Sequence, residues 1–228
     1  MSEDHAHLDQ QDVYAGNDRR ELLPYVPRGV QSVLDVGCAR GEFGARLRSL
    51  IGHSLTLHGL DPVESAVVAA RATGAFDGVY CGYFPQSVPE AADYDLVCFN
   101  DVLEHVLDPW LMLRQAKRYL KSDGRVLVSI PSIRYAPIVI DLLRGRWTYT
   151  STGTLDRTHV RFFTRSSMLE MFHDAGYAVE TCVGINPVGV HREQQMGAVA
   201  RLVLRAARRV LGDFSFLQFV IVARPLDG

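Results

Sequence analysis

Short apolar runs alternate along this chain with segments whose apolar positions recur every three or four residues. The runs are Ser32–Val36, Leu55–Leu60, Gly78–Cys81, Tyr94–Phe99, Arg125–Ile130, Ala178–Val183 and Leu217–Ala223. Most are continuously apolar, as in strands buried on both faces. Helical spacing predicts helices over Glu42–Ile51, Val63–Ala72, Pro109–Leu120 and Ser166–Ala175. Asp108-Pro109 opens one helix with proline at its first position, and Gly176 closes another after Ala175. The alternation predicts an α/β fold, a mostly parallel sheet with helices on both faces.

Two segments exceed that alternation. Residues 131–165 carry an apolar patch, Ala136–Leu143, followed by an aromatic and polar stretch through GRWTYTSTGTLDRTHVRFF. A connection of that length reads as a substrate-side insertion or lid. Residues 191–211 predict an amphipathic helix with Met196, Val199, Val203, Ala206 and Val210 on one stripe and Arg201, Arg205, Arg208 and Arg209 off it. Such a helix either rests on a membrane surface or packs its stripe against the sheet; the second use is the commoner.

At 228 residues and 47% hydrophobic, the chain suits one domain over residues 1–228, with 1–13 a flexible leader. His5 and His7 in that leader make no metal motif. No apolar stretch reaches about 18 residues and no signal-peptide pattern opens the chain, so a cytoplasmic protein without stable membrane insertion is expected. A net charge of −2 gives no attraction to nucleic acid. Four widely spaced cysteines, Cys38, Cys81, Cys98 and Cys182, read as reduced thiols.

Residues 31–41, QSVLDVGCARG, hold the most specific signal. A buried strand runs into a glycine turn with Asp35 just before the glycines. A carboxylate there would repel a pyrophosphate, and the dinucleotide fingerprint fails in spelling as well. Asp-x-Gly-x-x-x-Gly after a strand instead suits a cofactor with a cationic amino group, S-adenosylmethionine. Tight binding of NAD would contradict this reading.

With the strands placed, the chain resembles the class I S-adenosylmethionine-dependent methyltransferases, in particular a bacterial small-molecule and sugar subgroup. The resemblance rests on Val33–Gly41, Phe99–Pro109, Leu120–Gly124, Ser129–Arg134 and Leu155–Thr164, in family order, and spans about residues 14–225. It implies a Rossmann-like seven-stranded sheet, its last strand antiparallel between the fifth and sixth, with ligands at the carboxyl ends of the strands. It implies that Gly37 and Gly41 let the backbone approach the cofactor, beside Cys38, while Asp35 holds the amino group. Asp61, followed by Pro62, would accept from the ribose hydroxyls, and Asn100 and Asp101 would lie beside the sulfonium. Ala39 replaces the usual second glycine. After the third strand, where relatives often carry an acid for the adenine, this chain has Tyr83 and Phe84, which either cover the adenine or belong to the core.

The implied activity is methyl transfer, expected to be O-methylation of a small-molecule or sugar-containing acceptor in polysaccharide or secondary metabolism. N-methylation of an amino sugar and a non-catalytic cofactor-binding partner are the rival readings, and a homodimer is compatible with each. His159, flanked by Asp156, Arg157 and Arg161, is the first candidate base, with a neighbouring carboxylate raising its basicity; the competing role is to pin the insertion to the sheet. His105 is the second candidate, although Glu104-His105 also suits a helix cap. The spacing of Asp101, Glu104, His105 and Asp108 matches no metal motif, so no metal is expected. Arg134, Arg144, Arg146, Trp147 and Tyr149 are expected either to line the acceptor site or to face solvent.

Overall fold

The computed structural model describes residues 18–89, 93–193 and 195–226; the leader at 1–13, with His5 and His7, lies outside the described residues. Seven strands form one sheet: β1 (Ser32–Val36), β2 (Thr56–Asp61), β3 (Gly78–Cys81), β4 (Tyr94–Asn100), β5 (Leu120–Pro131), β6 (Tyr177–Pro187) and β7 (Phe216–Pro225). Their order is β3-β2-β1-β4-β5-β7-β6. The first five run parallel, and β7 is antiparallel to both of its neighbours. Helices α1 (Glu42–Ile51), α2 (Glu64–Ala72), α3 (Pro109–Ala116), α4 (Ala136–Leu143), α5 (Arg165–Asp174), α6 (Val190–Glu193) and α7 (Ala198–Leu211) connect them.

The continuous apolar runs follow from two cores. Val33, Leu57, Leu96, Cys98 and Leu127 join one, under α1, while Leu34, Val97, Phe99, Val126 and Val128 join the other, with Met168 and Phe172 of α5. Alternate residues of β1 and β4 thus point to opposite cores, and both faces are dry. Helix starts follow local chemistry. The Asp108 carboxylate accepts from the Leu111 N–H at 2.8 Å, and Thr164 and Ser167 form a reciprocal capping pair on α5.

Two elements depart from expectation. Strand β5 begins at Leu120 rather than Arg125, because Leu120 pairs with Tyr94 and a register shift before Leu96 absorbs the intervening residues. The amphipathic helix does not pack its stripe on the sheet: Val199, Val203 and Val210 of α7 are exposed. Its contact line is Leu204, which lies over Gly189, and Arg208, whose guanidinium donates to the Val188 carbonyl at 2.7 Å and pairs with Glu193. A polar anchor holds the helix where an apolar one was expected. Among the described residues no helix is long and apolar enough to cross a membrane.

Candidate functional site

Strand order reverses between β1 and β4, and a cavity of about 700 Å³ opens beyond their carboxyl ends. Every residue predicted for the site lines this cavity except Gly41.

The glycine turn is held by the Leu60 carbonyl, which accepts from the N–H groups of Gly37 (2.8 Å) and Cys38 (3.1 Å). Gly37 has φ +72°, and a Cβ there would lie 2.6 Å from Val102 Cγ2 at the cavity wall. Gly41, at φ +89°, serves a different purpose from the one expected. A Cβ would stand 2.9 Å from Phe76 Cε2 and 3.1 Å from Ala70 Cα, so its bareness lets α1 start close against α2 rather than opening a path to a ligand. Ala39 takes a left-handed conformation, φ +47°, at the position the resemblance gives to glycine. Cys38 contributes backbone to the cavity; its thiol packs among Val67, Ala70 and Val79, and burial pushes its pKa up.

Asp35 is 1% exposed, and its Oδ2 has no hydrogen-bond partner among the described residues. Burial, then the nearby charge of Asp61, pushes its pKa up to about 8. Asp61 is braced for acceptance: Oδ2 takes the Ala39 N–H and Oδ1 the Val63 N–H, both at 2.9 Å, and each oxygen keeps further acceptor capacity. Asn100, at the end of β4, holds both amide heavy atoms buried and without hydrogen-bond partners among the described residues. Asp101, by contrast, is tied down. It forms an ion pair with Arg19 and accepts at Oδ1 from Ser129 Oγ (2.8 Å) and Gln218 Nε2 (2.9 Å). Sequence reasoning missed Arg19, Ser129 and Gln218. Only Gln218 carried a signal, as the polar residue in the apolar run FLQFVIV.

Tyr83 and Phe84 separate. Tyr83 is 71% exposed at the rim, near exposed Pro62, whereas Phe84 is buried, its ring 5.6 Å from that of Phe99 and 5.4 Å from that of Tyr119. Phe84 is therefore chiefly a core residue.

The insertion reaches the cavity through Gly153, Thr154 and His159, and Pro131 at its start lines it too. The Glu104 carbonyl accepts from the N–H groups of Val160 (2.9 Å) and Arg161 (3.0 Å), so the strand-end turn and the insertion are stitched together. The rings of His105 and His159 meet edge to face with centroids 4.6 Å apart. His159 is 8% exposed, and its Nδ1 lies 3.0 Å from the Thr154 carbonyl oxygen, which assigns that nitrogen the proton and turns Nε2 into an acceptor. The expected rise in basicity is reversed: burial lowers its pKa and outweighs the Thr154 carbonyl contact and the Asp156 charge, which both act to raise it. The carboxylate facing Nε2 is Glu104, at 4.0 Å. Glu104 caps nothing with its side chain. It is fully buried, neither oxygen has a hydrogen-bond partner among the described residues, and burial pushes its pKa up to about 8.

The basic and aromatic residues of the insertion stay out of the cavity. Arg134 lies over the Phe214 ring, Arg146 pairs with Asp141, and Trp147 meets Phe162. Arg144 and Tyr149 are exposed. None lines the pocket, so the solvent-facing alternative holds for these side chains.

Comparison with known proteins accords with this geometry. The profile of the family described as "Methyltransferase domain" matches residues 8–181. A protein named ubiquinone biosynthesis O-methyltransferase from Azorhizobium caulinodans is 31% identical over 178 residues, covering 75% of this chain and 66% of that protein, just under two thirds of its length. Among solved structures, the complex of the Haloferax volcanii Trm112 methyltransferase activator with a methyltransferase superposes with a TM-score of 0.66 at 19% identity, covering 96% and 97% of the two chains. The plantazolicin methyltransferase BamL, solved with a desmethyl substrate analogue and SAH, superposes with 0.63 at 14% identity, covering 96% and 89%.

Proposed function

Because the chain belongs to the methyltransferase domain family, we propose that it is an S-adenosylmethionine-dependent O-methyltransferase of a small hydroxylated acceptor. One observation carries the reading: a dry, unpartnered Asp35 oxygen and an unpartnered Asn100 amide face a cavity at the sheet's switch point. Buried polar groups left without partners are costly, and ones that border a cavity are suited to a polar ligand. The donor set fits the cofactor. Asp35 offers a carboxylate to its ammonium group, Asp61 two braced oxygens to a ribose diol, and Asn100 an amide near the strand end.

When bound, the cofactor supplies a methyl group on a sulfonium, transferred by in-line displacement. The protein's part is to align the acceptor and relieve it of its proton. His159 and His105 are the groups assigned to the acceptor oxygen. Burial disfavours the charged form of His159, whose Nε2 lies 4.0 Å from Glu104 Oε1. The relative named for O-methylation in ubiquinone biosynthesis supports oxygen as the accepting atom. A sugar-containing acceptor loses its main argument, since the arginines and aromatic rings that suggested it stand outside the cavity.

The experiment is calorimetric titration with S-adenosylmethionine and with NAD, followed by an acceptor screen with the wild type and His159→Ala. Binding of the first ligand alone, with turnover lost and cofactor affinity kept in the variant, is the expected result. Full turnover in His159→Ala would leave that histidine a structural pin.

A further inference from the structure

We infer that Glu104, His105 and His159 form a binding site for one divalent transition-metal ion at the acceptor side of the cavity. The inference rests on the methyltransferase reading for its purpose, but on local geometry for its existence. One carboxylate oxygen and two imidazole nitrogens lie within 4.8 Å of one another, and all three residues line the cavity. Sequence spacing concealed the set, because His159 arrives from an insertion more than fifty residues after Glu104 in the chain. The other two acids of the expected cluster are engaged elsewhere: Asp101 with Arg19 and Gln218, and Asp108 in the cap of α3.

Three observations point to a cation. Glu104 is wholly buried and both its oxygens lack partners, an arrangement that costs several kcal/mol unless a proton or a cation compensates it. A protonated Glu104 would be expected to donate to the lone pair of His159 Nε2, yet the two atoms stand 4.0 Å apart, too far for a hydrogen bond. Both histidines also have the support that metal-bound imidazoles require. His159 Nδ1 is held by the Thr154 carbonyl at 3.0 Å; His105 Nδ1 lies 3.0 Å from Thr158 Oγ1, whose own proton goes to Asp156, and 3.3 Å from the Thr158 carbonyl. Each contact fixes the tautomer that leaves Nε2 for coordination.

A tetrahedral shell with ligands at about 2.1 Å sets neighbouring donors about 3.4 Å apart, so the three side chains close inward by roughly 1 Å on loading. Two imidazoles and one carboxylate favour zinc, cobalt or manganese over calcium or magnesium. The fourth position is left to the cavity that all three residues line. An acceptor hydroxyl taking it would lose its proton more readily, as metal-bound water does. With such an ion bound, His105 and His159 would act as ligands, and the coordinated hydroxyl would release its proton to solvent.

The test uses protein stripped with a chelator and titrated with Co²⁺, whose visible d–d absorption reports coordination independently of turnover, with Zn²⁺ as competitor. The wild type should bind one Co²⁺ per chain, displaced by Zn²⁺. Glu104→Gln and His105→Gln should each weaken that binding about 100-fold or more, since ligand loss exceeds the 10–100-fold typical of outer-shell changes. Cofactor affinity should stay nearly unchanged. Thermal unfolding of the metal-free variants checks that both still fold; Glu104→Gln is isosteric and replaces the buried carboxyl with a neutral amide, and His105 is exposed. Unaltered Co²⁺ binding in both variants would place the ion elsewhere and overturn the inference. So would absence of Co²⁺ binding in a wild type that still binds S-adenosylmethionine, a result that leaves the methyltransferase reading standing. Failure to bind either ligand would remove both.

Discussion

Replacing Asp35 with Asn separates what this carboxyl does to the free protein from what it does for a ligand. Its pKa in the folded chain is about 8, against about 3.9 in an unfolded one. The folded state therefore holds a proton that the unfolded state has released, and the associated stability is complete below pH 4 and lost as pH rises through 8. Between those limits the loss is about 1.4 kcal/mol per pH unit, or about 2.5 kcal/mol from pH 6 to pH 8.5. Asn cannot titrate. The stability difference between wild type and Asp35→Asn, measured by urea denaturation without ligand, should shift by that amount in the variant's favour over the interval. Glu104 titrates in both proteins and cancels in the difference. Ligand binding should move the other way: losing a charge-assisted contact worth about 1.5–3 kcal/mol weakens S-adenosylmethionine roughly 10–100-fold. A stability difference that does not change with pH would show Asp35 ionised in the free protein. The burial argument would then be wrong.

Asp61→Ala should reduce cofactor affinity about 100-fold by calorimetry, since it removes the acceptor of two ribose hydroxyls and frees the Ala39 and Val63 N–H groups that brace the turn. Unchanged affinity would end the ribose assignment. Gly41→Ala should destabilise the fold by about 3 kcal/mol in urea denaturation, from its positive φ and the contact with Phe76 and Ala70. A loss below about 0.5 kcal/mol would mean that α1 and α2 separate easily.

The sheet was legible because its signals are local. Continuous apolar strands, Asp108-Pro109 and Gly176 each act within a few residues of where they stand. The cofactor side was legible for the same reason, since Asp35, Gly37 and Asp61 sit directly at strand ends. What the sequence hid depends on distant segments meeting. Glu104 reads as a helix cap in the sequence, but in the fold its side chain is buried and its carbonyl binds the distant backbone of Val160 and Arg161. Arg19 lies before the first strand with nothing around it to announce a partner in Asp101. The stripe on α7 misled because amphipathicity describes a helix alone, whereas Arg208 binding to Val188 and Glu193 decided how it docks.

The place of β7 has a consequence for assembly. It is the last of the seven strands to be synthesised, yet it lies inside the sheet, between β5 and β6. Until it arrives, β5 and β6 each offer an unsatisfied edge, and such edges invite pairing between molecules. The same strand delivers Gln218 to Asp101, so closing the sheet and completing that wall of the pocket are one event. A nascent chain should therefore hold no finished pocket while it can still aggregate, and ligand added during synthesis should rescue only chains in which β7 has already docked.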